Sequence, residues 1–102
     1  MQTMGAQSVV LSLGSRGAIG ASANQMWEAI PPRIEAISPI GAGDAMAAAV
    51  LWSIENGDDF PQALSWGVAA GTASAKLPGI QFATLEQARA VRNDLDLRRI
   101  EA

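Results

Sequence analysis

Between Asp44 and Glu55 the chain reads Asp-Ala-Met-Ala-Ala-Ala-Val-Leu-Trp-Ser-Ile-Glu, with no glycine or proline until Gly57. Met46, Val50 and Ile54 recur every four residues, as do Ala47 and Leu51. The spacing predicts a helix that is apolar nearly all round and therefore buried. A buried helix needs other layers around it, so a lone surface helix is excluded. Asn56-Gly57 supplies a C-terminal cap.

The stretch before this helix follows a different pattern. Ser8 to Leu13 is a continuous branched apolar run, which predicts a strand covered on both faces. Gly14-Ser15-Arg16-Gly17 turns the chain, and Ala18 to Ala21 returns as the second arm of a hairpin. Met26 to Ile30 and Arg33 to Ile37 are further strand candidates, separated by Pro31-Pro32. After the first helix, Asp59 predicts an N-cap with Pro61 at the second helical position. That helix carries small residues at Gly67, Ala70, Gly71, Ser74 and Ala75, where a second backbone or a flat ligand could approach closely, and it stops at Pro78-Gly79. Thr84-Leu85-Glu86-Gln87 opens a third helix to about Leu95. Leu97 to Ile100 is a short closing strand, and the order β-β-β-β-α-α-α-β predicts an α/β or α+β layer.

Composition narrows the functional classes. Apolar residues make up 49% of the chain and charged residues 17%, against about a quarter charged in ordinary soluble domains. That balance predicts a face hidden against a partner or against a second copy. The net charge is −3, and Arg98-Arg99 is the only basic doublet, which argues against a nucleic-acid footprint. With no histidine and no cysteine, Ser-His-Asp catalysis, histidine-bound metal, thiol chemistry and disulfides have no residues to act through; acid–base work falls to carboxylates, lysine or backbone. No apolar run approaches the ~20 residues of a membrane span, and the first seven residues lack the pattern of a signal peptide. The chain reads as cytoplasmic, with no membrane and no nucleic-acid partner.

The chemistry concentrates at Gly41-Ala42-Gly43-Asp44. Two glycines around one alanine expose backbone N–H groups, which join the unpaired donors and positive dipole end of the helix that follows. This is an anion site suited to phosphate. A carboxylate there would repel the anion unless it has work to do, and phosphoryl transfer needs such a group to orient and deprotonate a hydroxyl. The plainer alternative is that Asp44 is an N-cap and the glycines form a tight loop. Gly-x-Gly alone is weak evidence, and no Gly-Lys-Ser/Thr follows to make a Walker loop. Spacing leaves both readings open.

Ser38-Pro39-Ile40-Gly41-Ala42-Gly43-Asp44-Ala45-Met46-Ala47-Ala48-Ala49 resembles the second signature of the ribokinase-like sugar kinases, the phosphofructokinase B group. Ser12-Leu13-Gly14-Ser15-Arg16-Gly17-Ala18 resembles the nucleotide-side hairpin of that family, and Ala63 to Gly79 its following helix. The likeness spans residues 7–100 and is strongest to the 1-phosphofructokinase and tagatose-6-phosphate kinase branch. It implies an α/β chain that is the C-terminal portion of a ribokinase-like fold, using ATP and Mg²⁺ to phosphorylate a hydroxyl of a sugar phosphate. By position, Asp44 would be the catalytic base, with the amides of Gly41, Ala42 and Gly43 as the anion hole. Ser12, Gly14 and Gly17 would follow the ATP phosphates and ribose, and Ala70, Gly71 and Ser74 would wall the adenine. No protein metal ligand is implied, the Mg²⁺ travelling with the nucleotide. Ser38 stands where relatives often carry Asp, which argues against a monovalent-cation site.

Of the remaining candidates, Trp27, Trp52 and Trp66 are expected in the core or at an interface rather than as stacking platforms. Asp58-Asp59 is expected to start a helix rather than hold a metal. Arg98-Arg99 is expected to face solvent, while Arg16 and Lys76 each fit either a phosphate contact or a solvated position. Relatives in this family are much longer, so residues 1–7 are expected to be a disordered or tag-like start, and 8–102 the ATP-binding, catalytic C-terminal part of a kinase domain. Such a chain would lack the sugar pocket and lid, and would be weak or inactive alone. It would associate with itself or with the missing N-terminal part. Alternatives are a non-catalytic nucleotide-binding module and a self-associating element that keeps the fold.

Overall fold

A computed structural model describes residues 2–3, 8–22, 25–34, 41–78 and 82–100. Strands β1 (Gln2–Thr3), β2 (Ser8–Ser12), β3 (Ala18–Ser22) and β4 (Gln25–Ile30) precede helices α1 (Ala42–Glu55), α2 (Phe60–Ala75) and α3 (Leu85–Asn93), and β5 (Asp96–Ile100) closes the chain. The strands form one antiparallel sheet in the order β1-β2-β3-β4-β5. The three helices are thus inserted between two neighbouring strands, β4 and β5. The α/β reading of the sequence holds.

Pairing fixes which side chains meet the helices. Val10 lies opposite Gly20, Ala18 opposite Ala29, and Ala29 opposite Leu97. Cross-strand partners share a face of a sheet, so these residues form one surface. Val10, Ala18 and Ala29 are buried there against Leu64 and Val68 of α2 and Met46 of α1, with Trp27, Phe60 and Leu97 around them. A Cβ at Gly20 would come within 2.8 Å of the Phe60 ring and 3.0 Å of Leu64 Cδ2. Glycine there lets α2 lie close on the sheet. On its far side α2 packs Ala69 and Ala73 against Val91 of α3.

The caps follow the sequence closely. Asp59 accepts from Gln62 N–H at 3.1 Å as the N-cap of α2, with Pro61 behind it. Thr84 and Gln87 make a reciprocal capping box at α3. At the end of α1, Gly57 N–H donates to Ile54 O and Asp58 N–H to Ser53 O, the bond pattern of a Schellman motif. Ser53 Oγ, fully buried, donates to Asp58 Oδ2 at 2.6 Å. Asp59 thus starts α2 as expected, whereas Asp58 instead closes the end of α1 through Ser53. Arg98 pairs with Asp96 at 2.7 Å and, like Arg99, faces solvent.

Four expectations need correction. The β2 run is covered on one face only: Val10 is 1% exposed while Leu11 is 43% exposed. The opposite sheet face carries Val9, Leu11, Ile19, Met26 and Ile30 together with the charged Glu28, Asp96 and Arg98. Helix α1 is likewise buried on one side, where Val50 is 1% exposed against 53% for Leu51. Periodicity records which residues are apolar, not whether this chain supplies the layer that covers them. Arg33 and Ile34 lie outside any strand, and the rest of the expected Arg33–Ile37 strand falls outside the described residues. Gln2–Thr3 is an edge strand paired with Val9 and Val10, whereas residues 1 and 4–7 fall outside the description. Trp27 packs against Phe60 at 5.8 Å as expected of a core residue, whereas Trp52, edge-on to Trp66 at 5.6 Å, is 42% exposed. Arg92 sits 4.7 Å over the Trp66 ring.

This asymmetry makes a direct prediction. Leu64→Ala removes a fully buried side chain from the sheet–helix contact and should cost about 2–5 kcal/mol. Leu51→Ala on the open side of α1 should cost no more than ~0.5 kcal/mol. Urea denaturation of the two variants checks the difference, and equal losses would mean that the outer face of α1 is covered in solution.

Candidate active site

The site is built on the first turn of α1. Gly41 is the N-cap, in the left-handed region at φ 87°, ψ −7°, and no side chain caps the helix. The first helical bond runs from Ala45 N–H to Gly41 O at 2.9 Å. The N–H groups of Gly41, Ala42, Gly43 and Asp44 therefore lack partners within the helix, and no described residue accepts from them. Asp44 is not the N-cap. It occupies the third helical position, exposed, and makes no hydrogen bond among the described residues. The capping alternative left open by the sequence is thereby removed.

This turn opens on a cavity of about 320 Å³. One wall is the β2–β3 hairpin at Ser12, Gly14, Ser15 and Gly17; another is α1 at Ala42, Gly43 and Met46; the third is α2 at Val68, Gly71, Thr72 and Ala75, with Ile34 above. Among the described residues no charged side chain lines it. Its positive pole is the amide cluster and dipole of α1, and the opposite wall is apolar apart from the Thr72 hydroxyl. An elongated ligand with an anionic end and a flat, weakly polar end matches that division.

The hairpin is closed by Leu13 N–H to Gly17 O at 2.7 Å and Gly17 N–H to Gly14 O at 3.1 Å. Gly17 has φ 97°, and a Cβ there would overlap the carbonyl of Ala29 and come within 2.9 Å of Pro31 Cδ. Its lack of a side chain serves the hairpin's approach to β4, besides leaving the cavity open. At Gly14 and Gly43 a Cβ would meet nothing within 4 Å, as expected of positions facing free space.

The candidates from sequence do not all converge. Ser12, Gly14, Gly17, Ala42, Gly43 and Gly71 line the cavity, while Gly41 and Asp44 flank the two α1 residues that do. Ala70 and Ser74 instead line a separate groove with Trp52 and Trp66. Ser74 is buried, and its Oγ accepts from Ala83 N–H at 2.9 Å. The α2 residues that join Gly71 at the cavity are Val68, Thr72 and Ala75; sequence reasoning named Ala75 only among the small residues open to close approach, and did not select Val68 or Thr72. Val68 and Ala75, three and four residues from Gly71, share its side of the helix, but so does Ser74 at three, so periodicity alone could not have separated the two sets. Arg16 is exposed and not part of the lining. Lys76 lies in another groove with Arg33 and Asp94. No group of three or more His, Cys, Asp or Glu residues that could hold a metal exists among the described residues. Ser38 and the monovalent-cation question fall outside them.

Residues 1–88 match the model of the pfkB family carbohydrate kinases. The chain belongs to that family. This pfkB chain is 40% identical over 72 residues to a 1-phosphofructokinase of Borreliella burgdorferi, covering 70% of this chain and 24% of that protein. It is 32% identical over 77 residues to the ATP-dependent 6-phosphofructokinase isozyme 2 of Escherichia coli, covering 76% and 25% respectively. The crystal structure of phosphofructokinase-2 from Escherichia coli in complex with potassium superposes with a TM-score of 0.82 at 28% identity, over 85% of this chain and 28% of that one. The pfkB chain thus spans 24% and 25% of the length of the two curated relatives. The resemblance drawn from three short motifs holds at the level of family and fold.

The two hairpin glycines should respond differently to alanine. Gly17→Ala meets backbone on β4 and should lower the melting temperature by at least ~8 °C, a loss of roughly 2 kcal/mol or more. Gly14→Ala, with open space around it and φ 64°, should lose about half that. Thermal melts followed by circular dichroism decide the ranking.

Proposed function

We propose that this chain forms the nucleotide-binding and phosphoryl-transfer part of an ATP-dependent sugar-phosphate kinase of the phosphofructokinase type. One observation carries the reading: among the described residues, a helix start with uncapped amides and an exposed, unpaired Asp44 stands against a cavity lined by no charged side chain. Membership of the pfkB family supports it, as does the kinship with proteins named as phosphofructokinases.

In this reading ATP lies along the hairpin, its base toward Val68, Thr72 and Ala75 and its phosphates past Ser12 and Gly14. The amides of Gly41, Ala42 and Gly43 hold the oxygens of the γ-phosphoryl group, where negative charge must be met during transfer. Asp44, one residue further, accepts the proton of the attacking sugar hydroxyl. The new bond joins the hydroxyl oxygen to the γ-phosphorus, the bond to the bridging oxygen breaks, and ADP leaves with the electron pair. In this reading Mg²⁺ would travel on the phosphate oxygens of the nucleotide. Bound there it would neutralise phosphate charge. The expected sugar-phosphate contacts fall on no residue of the cavity described above.

The exposed apolar residues of α1 and the sheet favour one second reading: a nucleotide-binding module that functions in association with another copy or with the rest of a kinase. Light scattering separates the cases, since a monomer at micromolar concentration would count against self-association.

The catalytic assignment is tested by ATP consumption with fructose 1-phosphate, fructose 6-phosphate and tagatose 6-phosphate, alongside ATP titration by calorimetry. Asp44→Asn should lower turnover by about 10²–10⁴-fold, the usual worth of a general base, with ATP affinity held. Retained turnover in that variant would sink the base assignment, and absence of ATP binding at millimolar nucleotide would leave only a structural role.

A further inference from the structure

Helix α2 passes α1 with glycines at positions 67 and 71, one turn apart on the same face, but the two glycines meet different obstacles. A Cβ at Gly67 would run into the side chain of Val50 and sit 3.1 Å from Met46 Cγ and from Met46 O. A Cβ at Gly71 would sit 3.0 Å from the carbonyl oxygen of Ala42 and 3.5 Å from Met46 Cβ. Its nearest neighbour is therefore the backbone of the first turn of α1, which no change of rotamer can move aside. The oxygen of Ala42 belongs to the same rigid peptide plane as the N–H of Gly43. Pressure on one end of that plane turns the other.

We infer that Gly71 is a positioning residue: its missing side chain lets α2 abut the Ala42 carbonyl directly and so aims the Gly43 N–H into the anion-binding turn. The inference rests on the reading of that turn as the phosphate end of the nucleotide site. It differs from the role first given to Gly71, a bare wall against the adenine. In the positioning role the residue controls phosphate binding through α1, whereas a wall residue touches the base. Gly67, one turn further from the open end of α1, sets the spacing of the helices and has no such link to the amides.

The experiment compares Gly71→Ala with Gly67→Ala in the full chain, reading ¹H–¹⁵N resonances of Ala42, Gly43 and Asp44 without ligand and affinities for ATP and adenosine. Gly71→Ala should shift the Gly43 amide resonance in the free protein. It should weaken ATP about tenfold, the worth of one misaligned charge-assisted hydrogen bond, while adenosine affinity changes less than about twofold. Gly67→Ala should lower stability, be partly rescued by Val50→Ala, and leave the ratio of ATP to adenosine affinity unchanged. Equal losses for ATP and adenosine in Gly71→Ala would overturn the inference in favour of a base-contacting wall, and so would an unmoved Gly43 resonance. Should Gly71→Ala not fold, tripolyphosphate added to the unmutated chain serves instead. It carries no base, so movement of both Gly43 and Gly71 resonances supports the coupling, and movement of Gly43 alone overturns it. If the unmutated chain binds no ATP, the nucleotide reading fails by itself, and the ligand-free resonances still decide whether Gly71 sets the turn.

Discussion

Helix α2 is the element on which the others are hung, and its close approach to both neighbours is the constraint that organises the chain. Toward the sheet, Gly20 removes the side chain that would hold Phe60 and Leu64 away. Toward α1, Gly67 and Gly71 bring the two helices to backbone contact. Dispersion and apolar burial fall off steeply with even a small gap, so these bare positions do more than tolerate packing. They decide how near the uncapped start of α1 comes to the β2–β3 hairpin, and hence whether a cavity forms between them.

The chemistry of the site depends on that placement. A helix start with free amides is a common feature and binds nothing by itself. Here its donors face a hairpin whose closing bonds run through Gly14 and Gly17, and an α2 face with one hydroxyl and otherwise apolar groups. The described lining supplies no charged side chain, so under the proposed function anion recognition would fall to backbone dipoles. The only carboxylate in that first turn, Asp44, is left exposed and unpaired beside the donors. Because Gly41 and not Asp44 is the N-cap, the carboxylate would be available as the proton acceptor that the proposed function requires.

The open side of the molecule has a physical logic of its own. The sheet face opposite α2 and the outer side of α1 both carry large apolar residues, and the chain spans a quarter of the relatives it matches, 24% and 25% of their lengths. Runs such as Ser8–Leu13 are patterned for burial on two faces, yet the described residues cover only one. The same pattern therefore records a larger hydrophobic environment than these elements provide.

What the sequence determined by itself is local. Caps at Asp59 and Thr84, the glycine-ended hairpin, the helix following Gly41-Ala42-Gly43-Asp44 and the strand near the C-terminus all follow from short-range sterics and hydrogen bonding, and each appears within a residue or two of its expected bounds. Family membership was legible too, because three separated motifs stood in the right order. The faces were decided only by the tertiary structure. Ala70 and Ser74 look as fit to wall a ligand as Gly71 does in a list of small residues, but they lie about 100° and 60° around the helix from it, on the side away from Val68, Thr72 and Ala75, and line another groove. Likewise Asp44 could be cap or free acid until the helix took its cap at Gly41, three residues sooner. Composition names the residues that permit close approach; only the packing of α2 fixes which of them face the Gly41-Ala42-Gly43-Asp44 turn.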